Sequence, residues 1–63
     1  MQQLTMEEVI DQAIAREEES FALYEKLTAV VQDAASRDTL RFMAGEELKH
    51  KTALQKYKSG ELG

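Results

Sequence analysis

The chain has 63 residues, with 12 acidic against 8 basic side chains, one histidine, and no cysteine, proline or tryptophan. Lack of cysteine excludes a disulfide framework, a thiolate metal site and an iron–sulfur cluster, and a net charge of −4 argues against nucleic acid as the partner, since phosphate binding needs a basic face. No apolar stretch approaches the roughly 20 residues of a membrane span, and no signal-peptide pattern opens the chain.

Thr5, followed by Met6, Glu7 and Glu8, reads as a helix start, with acidic residues in the first turn facing the positive end of the helix dipole. Ala, Glu, Leu, Lys, Gln, Met and Arg dominate from there on, so the spacing predicts a first helix over about 6–32. The only polar, cap-rich interruption is Gln32-Asp33-Ala34-Ala35-Ser36-Arg37-Asp38, in which Asp33, Ser36 and Asp38 are all candidate N-caps. A second helix is expected over about 36–58, with Lys56 and Lys58 in its last turn and Ser59-Gly60 as its stop. No linker or repeat divides the sequence, so residues 1–63 read as a single all-α helical hairpin.

Each helix carries an a/d-type seam. In the first it is Ile10, Ile14, Glu17, Phe21, Tyr24, Thr28 and Val31; in the second, Leu40, Met43, Glu47, His50, Leu54 and Tyr57. Val9, Ala13, Leu27, Ala44, Leu48 and Ala53 widen the apolar faces beyond what one hairpin can cover. A chain of about 60 residues buries only about 60% of its unfolded surface, and small scaffolds without disulfides usually rely on a metal or a partner. A homodimer forming a four-helix bundle is the economical expectation.

Three seam residues are polar: Glu17, Glu47 and His50. Singly, each reads as a snorkelling glutamate or a hydrogen-bonded histidine. Together they read otherwise, because a buried carboxylate needs a raised pKa, an ion pair or a metal. Glu47 and His50 form Glu-x-x-His, one turn apart on one helix face. In an antiparallel hairpin, residues at equal height have numbers of constant sum. Glu17 gives 64 with Glu47 and 67 with His50, Tyr24 gives 64 with Leu40, and Ile10 gives 64 with Leu54. The trio therefore shares one level between apolar layers. Doubled by a two-fold axis, it becomes four glutamates and two histidines, the constellation of di-iron and di-manganese carboxylate bundles. Four carboxylates balance two divalent cations, and a mixed imidazole–carboxylate set suits iron or manganese, with zinc as a substitute.

Ala15-Arg16-Glu17-Glu18-Glu19-Ser20-Phe21-Ala22-Leu23-Tyr24 and Leu40-Arg41-Phe42-Met43-Ala44-Gly45-Glu46-Glu47-Leu48-Lys49-His50 together resemble the ferritin-like superfamily, most closely its rubrerythrin-type branch. The likeness runs from about Ile10 to Tyr57. It implies metal ligation by Glu17, by a bridging Glu47 and by His50, with Tyr24 hydrogen-bonding near the metals. Rubrerythrins carry four such helices in one chain and often a cysteine-ligated module, whereas this chain holds half a bundle and no cysteine. It is thus similar to the half-bundle ferritins packaged inside encapsulin shells, which place a di-iron site across a dimer interface. That likeness implies two irons per dimer, a homodimer or higher homo-oligomer, an encapsulating shell as partner, and a cytoplasmic, prokaryotic location inside or outside a protein compartment. The closing Gly60-Glu61-Leu62-Gly63 carries no recognisable shell-targeting tail.

The implied activity is oxidation of Fe(II) with dioxygen or peroxide, as ferroxidase or peroxide reductase. The competing readings are a non-catalytic helical dimerisation module, whose polar layer sets register, and a metal-buffering module without turnover. Glu19 falls where such ferritins carry an accessory carboxylate on the metal's way in, and it reads equally as part of a solvated acidic face. Phe21 and Met43 are expected in the core, and Tyr57 to pack with a hydroxyl partner. Gly45, one turn before the ligands, is expected to permit close helix approach or simply to be tolerated.

Overall fold

The structure is a computed structural model that describes residues 3–60, so the expected lack of a targeting tail falls mostly on residues outside it. Two α-helices, α1 (Met6–Val30) and α2 (Ala34–Lys58), fold back on each other as a hairpin, with no strand among the described residues. Among the described residues no helix is long and apolar enough to cross a membrane.

Local chemistry sets the ends. The Thr5 side chain accepts from the Glu8 N–H at 3.1 Å, and the Thr5 N–H donates to the Glu8 carboxylate at 2.9 Å, a reciprocal capping box. These bonds hold the Glu8 carboxyl below its ordinary value. Among the three candidate caps of α2, Asp33 is the one used. Its carboxylate accepts from the Ser36 N–H and from the Ser36 hydroxyl, both at 2.9 Å, which pulls its own pKa down. Because the earliest cap wins, α2 begins at Ala34, two residues before the expected 36. α1 correspondingly stops at Val30 rather than 32, since Val31 and Asp33 are both extended. Gly60, at φ +85°, takes the left-handed conformation that ends α2.

The helices are matched in length at 25 residues each, and both pairs of ends have numbers summing to 64, the register read from Glu17 and Glu47. Opposite charge assists the pairing. α1 carries seven acidic and two basic side chains, α2 three acidic and six basic. Two ion pairs clip one flank: Glu18 to Lys51 at 2.9 Å and Asp11 to Lys58 at 2.6 Å, the latter raising the Lys58 pKa.

All seven seam residues of α1 are buried or half-buried, as expected. The stripe of α2 that faces α1 is rotated from expectation. It consists of Arg37, Leu40, Ala44, Glu47, Lys51 and Leu54, while Met43, His50 and Tyr57 are exposed at its edge. Met43 is therefore not a core residue of the hairpin, and Tyr57 remains half open to solvent. The cause is size: the Ala44 methyl lets α2 lie closer to α1 than Met43 would, and Lys51 keeps its amine on Glu18 while its stem covers apolar surface.

The hairpin is one layer thick, with a smallest extent of 11 Å. Among the described residues only Ile10 and Ala44 are buried, and neither completely. Such a layer has two faces and no interior.

Candidate metal centre

Glu17 sits in the middle of α1, and Glu47 and His50 sit one turn apart in the middle of α2. The structure brings the three together as the sequence predicts. Each offers a ligating atom, and these atoms lie within 4.8 Å of one another. Glu17 and Glu47 are half-buried between the helices, whereas the His50 side chain is 57% exposed. The imidazole Nδ1 lies 3.5 Å from Glu17 Oε2, too long for a good hydrogen bond.

The electrostatics of the cluster are unbalanced. Two carboxylates share one small space with a single neutral or singly charged imidazole. The Glu47 carboxyl is raised above its ordinary value of 4.5, first by a hydrogen bond shared with Glu17, then by burial and by the Glu17 charge, with His50 opposing. Glu17 Oε2 is shielded from solvent and takes no hydrogen bond from any donor among the described residues. A buried carboxylate oxygen without a donor costs free energy unless a proton or a cation reaches it. The donor set, two carboxylates and one imidazole, fits a divalent transition metal and does not resemble an all-oxygen calcium or magnesium cage.

The cluster lies towards one face of the hairpin. By helical spacing that face also carries Val9, Ala13, Ser20, Leu23 and Leu27 from α1, with Met43, Ala53 and Tyr57 from α2. Val9, Leu23, Met43 and Tyr57 are exposed there. The opposite face is the one clipped by Glu18–Lys51 and Asp11–Lys58.

Tyr24 does not join the cluster. It lies seven residues beyond Glu17, about 10 Å along the helix axis, half-buried, and its carbonyl accepts from the Thr28 hydroxyl at 2.7 Å. Among the described residues no hydrogen bond links its hydroxyl to Glu17, Glu47 or His50. Glu19 is exposed and outside the cluster. A Cβ added at Gly45 would meet nothing within 4 Å, so close approach of α1 is not the reason for this glycine.

No family model, no curated protein and no solved structure matches this chain.

Proposed function

We propose that this chain is a ferritin-like, non-haem di-iron carboxylate protein, in which two hairpins pair face to face and hold two iron ions between Glu17, Glu47 and His50 of each. The observation that carries the reading is the grouping of these three ligating atoms within 4.8 Å around a Glu17 oxygen that has no donor. The open apolar face around the cluster supports the pairing, since one layer leaves those side chains in water. When bound, iron supplies the electrons for reduction of dioxygen or peroxide, with Fe(II) as the species oxidised.

The residues have separable tasks. His50 would give each half-site one nitrogen ligand. Glu47, one turn before His50 on the same helix and beside Glu17, would supply a carboxylate with two oxygens to offer to the ions. Glu17 supplies a further carboxylate from the opposite helix, so that the four carboxylates of a pair neutralise two divalent ions. The apolar residues above and below the trio keep water from both ends of the site.

The experiment is anaerobic addition of Fe(II) followed by dioxygen. New near-ultraviolet absorption, two irons per pair of chains, and loss of both in Glu47→Ala are the expected results. Iron that binds in this stoichiometry but does not turn over favours metal buffering. The second reading is a dimerisation module whose polar layer sets register, and the placement of Glu17 and Glu47 together between the helices favours it. Absence of iron binding selects it.

A further inference from the structure

α2 carries two pairs of lysines at one spacing, and the hairpin uses only one pair. Lys51 and Lys58, seven residues apart, meet Glu18 and Asp11, also seven apart, on the antiparallel α1. Lys49 and Lys56 repeat the spacing on the flank of α2 turned away from α1. Lys56 has no ion pair among the described residues. Lys49 reaches only Glu46, one turn back on its own helix, at 3.3 Å.

These two amines rim a groove of about 590 Å³ whose other walls are Gly45, Leu48, Thr52 and Ala53. It shares no residue with the Glu17, Glu47 and His50 cluster, and only Ala53 borders the open face. Leu48 is 47% exposed there, and Gly45 weakens α2 relative to alanine. Neither is explained inside the hairpin, since a Cβ at Gly45 meets nothing within 4 Å. A mid-helix glycine under open space lets a second backbone approach closely from outside. The lysines stand about 10 Å apart along the helix axis, too far for one carboxylate or phosphate to bridge, so the ligand is extended. A nucleic-acid strand is disfavoured by the chain's net charge of −4 and by Glu46 beside Lys49. Another copy of α1 fits poorly, because its outward acid is Glu19 and seven residues earlier stands Gln12, an amide.

We infer that this groove docks a helix of a different protein, antiparallel to α2, with two acidic side chains seven residues apart and small or apolar side chains between them. The hairpin itself supplies the template: the acids meet Lys49 and Lys56 as Glu18 and Asp11 meet Lys51 and Lys58. The apolar residues between them cover Leu48, and the incoming backbone comes close at Gly45. The surface is independent of the metal centre and stays accessible whether or not the open faces pair.

The probe is a synthetic alanine-rich helical peptide of about 20 residues, with two glutamates seven apart and leucines between them. Titrated into the metal-free chain, it should shift the amide resonances of Gly45, Leu48 and Thr52. Reversing both lysines, K49E with K56E, should weaken binding by on the order of tenfold, and a second peptide with lysines in place of its two glutamates should recover it. Circular dichroism checks that the double variant folds. If it does not, K56E alone should weaken the acidic peptide roughly threefold. Equal affinity of wild type and reversed chain for the acidic peptide overturns the inference. So do shifts confined to Val9, Leu23 and Met43 on the open face, or no binding at roughly millimolar peptide. Groove resonances that move on dilution without peptide make a second copy the occupant and overturn it as well.

Discussion

The two faces of the hairpin contain similar residues in opposite circumstances. On the closed face, Glu18 and Asp11 find Lys51 and Lys58 at 2.9 and 2.6 Å within the same chain. On the open face, Glu17 and Glu47 find each other and a half-exposed imidazole, and one Glu17 oxygen finds no donor. One residue of helical rotation separates Glu17 from Glu18. That single step decides whether a carboxylate is satisfied by its own chain or needs something brought to it. A half-buried carboxylate oxygen without a donor is left unsatisfied, whereas an exposed ion pair is not.

The largest expected difference between the faces is in metal response. Glu17→Ala and Glu47→Ala should each lower affinity for Fe(II) by more than the roughly 10- to 100-fold that loss of an outer hydrogen-bonding partner costs. Their metal-free melting temperatures should hold or rise, because each substitution removes one of two crowded like charges. Glu18→Ala should leave the metal response intact and change stability by no more than about 1 kcal/mol. Thermal melts with and without Fe(II) under argon read all three. Collapse of the metal-free Glu17→Ala chain with its metal response retained would make the trio a structural ion-pair layer.

A second, smaller contrast is in pH dependence. The Glu47 carboxyl is raised in the fold, so its contribution is fully present below its ordinary 4.5 and is lost as pH rises through the raised value. Without metal the chain should therefore gain stability on going from neutral pH towards about 5. The lowered carboxyls of Glu8 and Asp33 leave that window undisturbed, since their contributions are lost only as pH falls through their depressed values. With metal the slope should reverse. Cation ligands must be deprotonated, so protons compete with the metal and affinity should fall as pH drops. Melts at pH 7.5 and pH 5, with and without Zn(II), give the two slopes. Parallel slopes would sever the cluster from the metal.

The smallest effects belong to positions on neither face. Thr5→Ala removes one half of the capping box and should cost about 1 kcal/mol. Gly45→Ala should gain about 0.5–1 kcal/mol, because a methyl there meets open space and a mid-helix glycine is entropically unfavourable. Urea unfolding of both variants measures them. A loss at Gly45→Ala would show that another chain approaches α2 there.

Much of this was legible in the linear pattern, for local reasons. Helix formers without proline, a Thr5–Glu8 box and a run of caps leave two helices and one turn. The constant sum then follows from antiparallel geometry, which is why the linear pattern alone sets Glu17, Glu47 and His50 at one height. The α1 seam was equally readable, since its apolar stripe is bounded on one side by Asp11, Glu18 and Glu25. Three things were decided only by tertiary structure. Asp33, Ser36 and Asp38 are equivalent as letters, and only the turn geometry selects Asp33 as the cap. Tyr24 matches a motif, yet its hydroxyl is not bonded to the cluster. The rotation of α2 departs from the seam expected through Met43, His50 and Tyr57, because its apolar residues cover an arc wide enough for more than one facing stripe. Packing resolved it by volume, turning Ala44 inward and leaving Met43, His50 and Tyr57 on the open face.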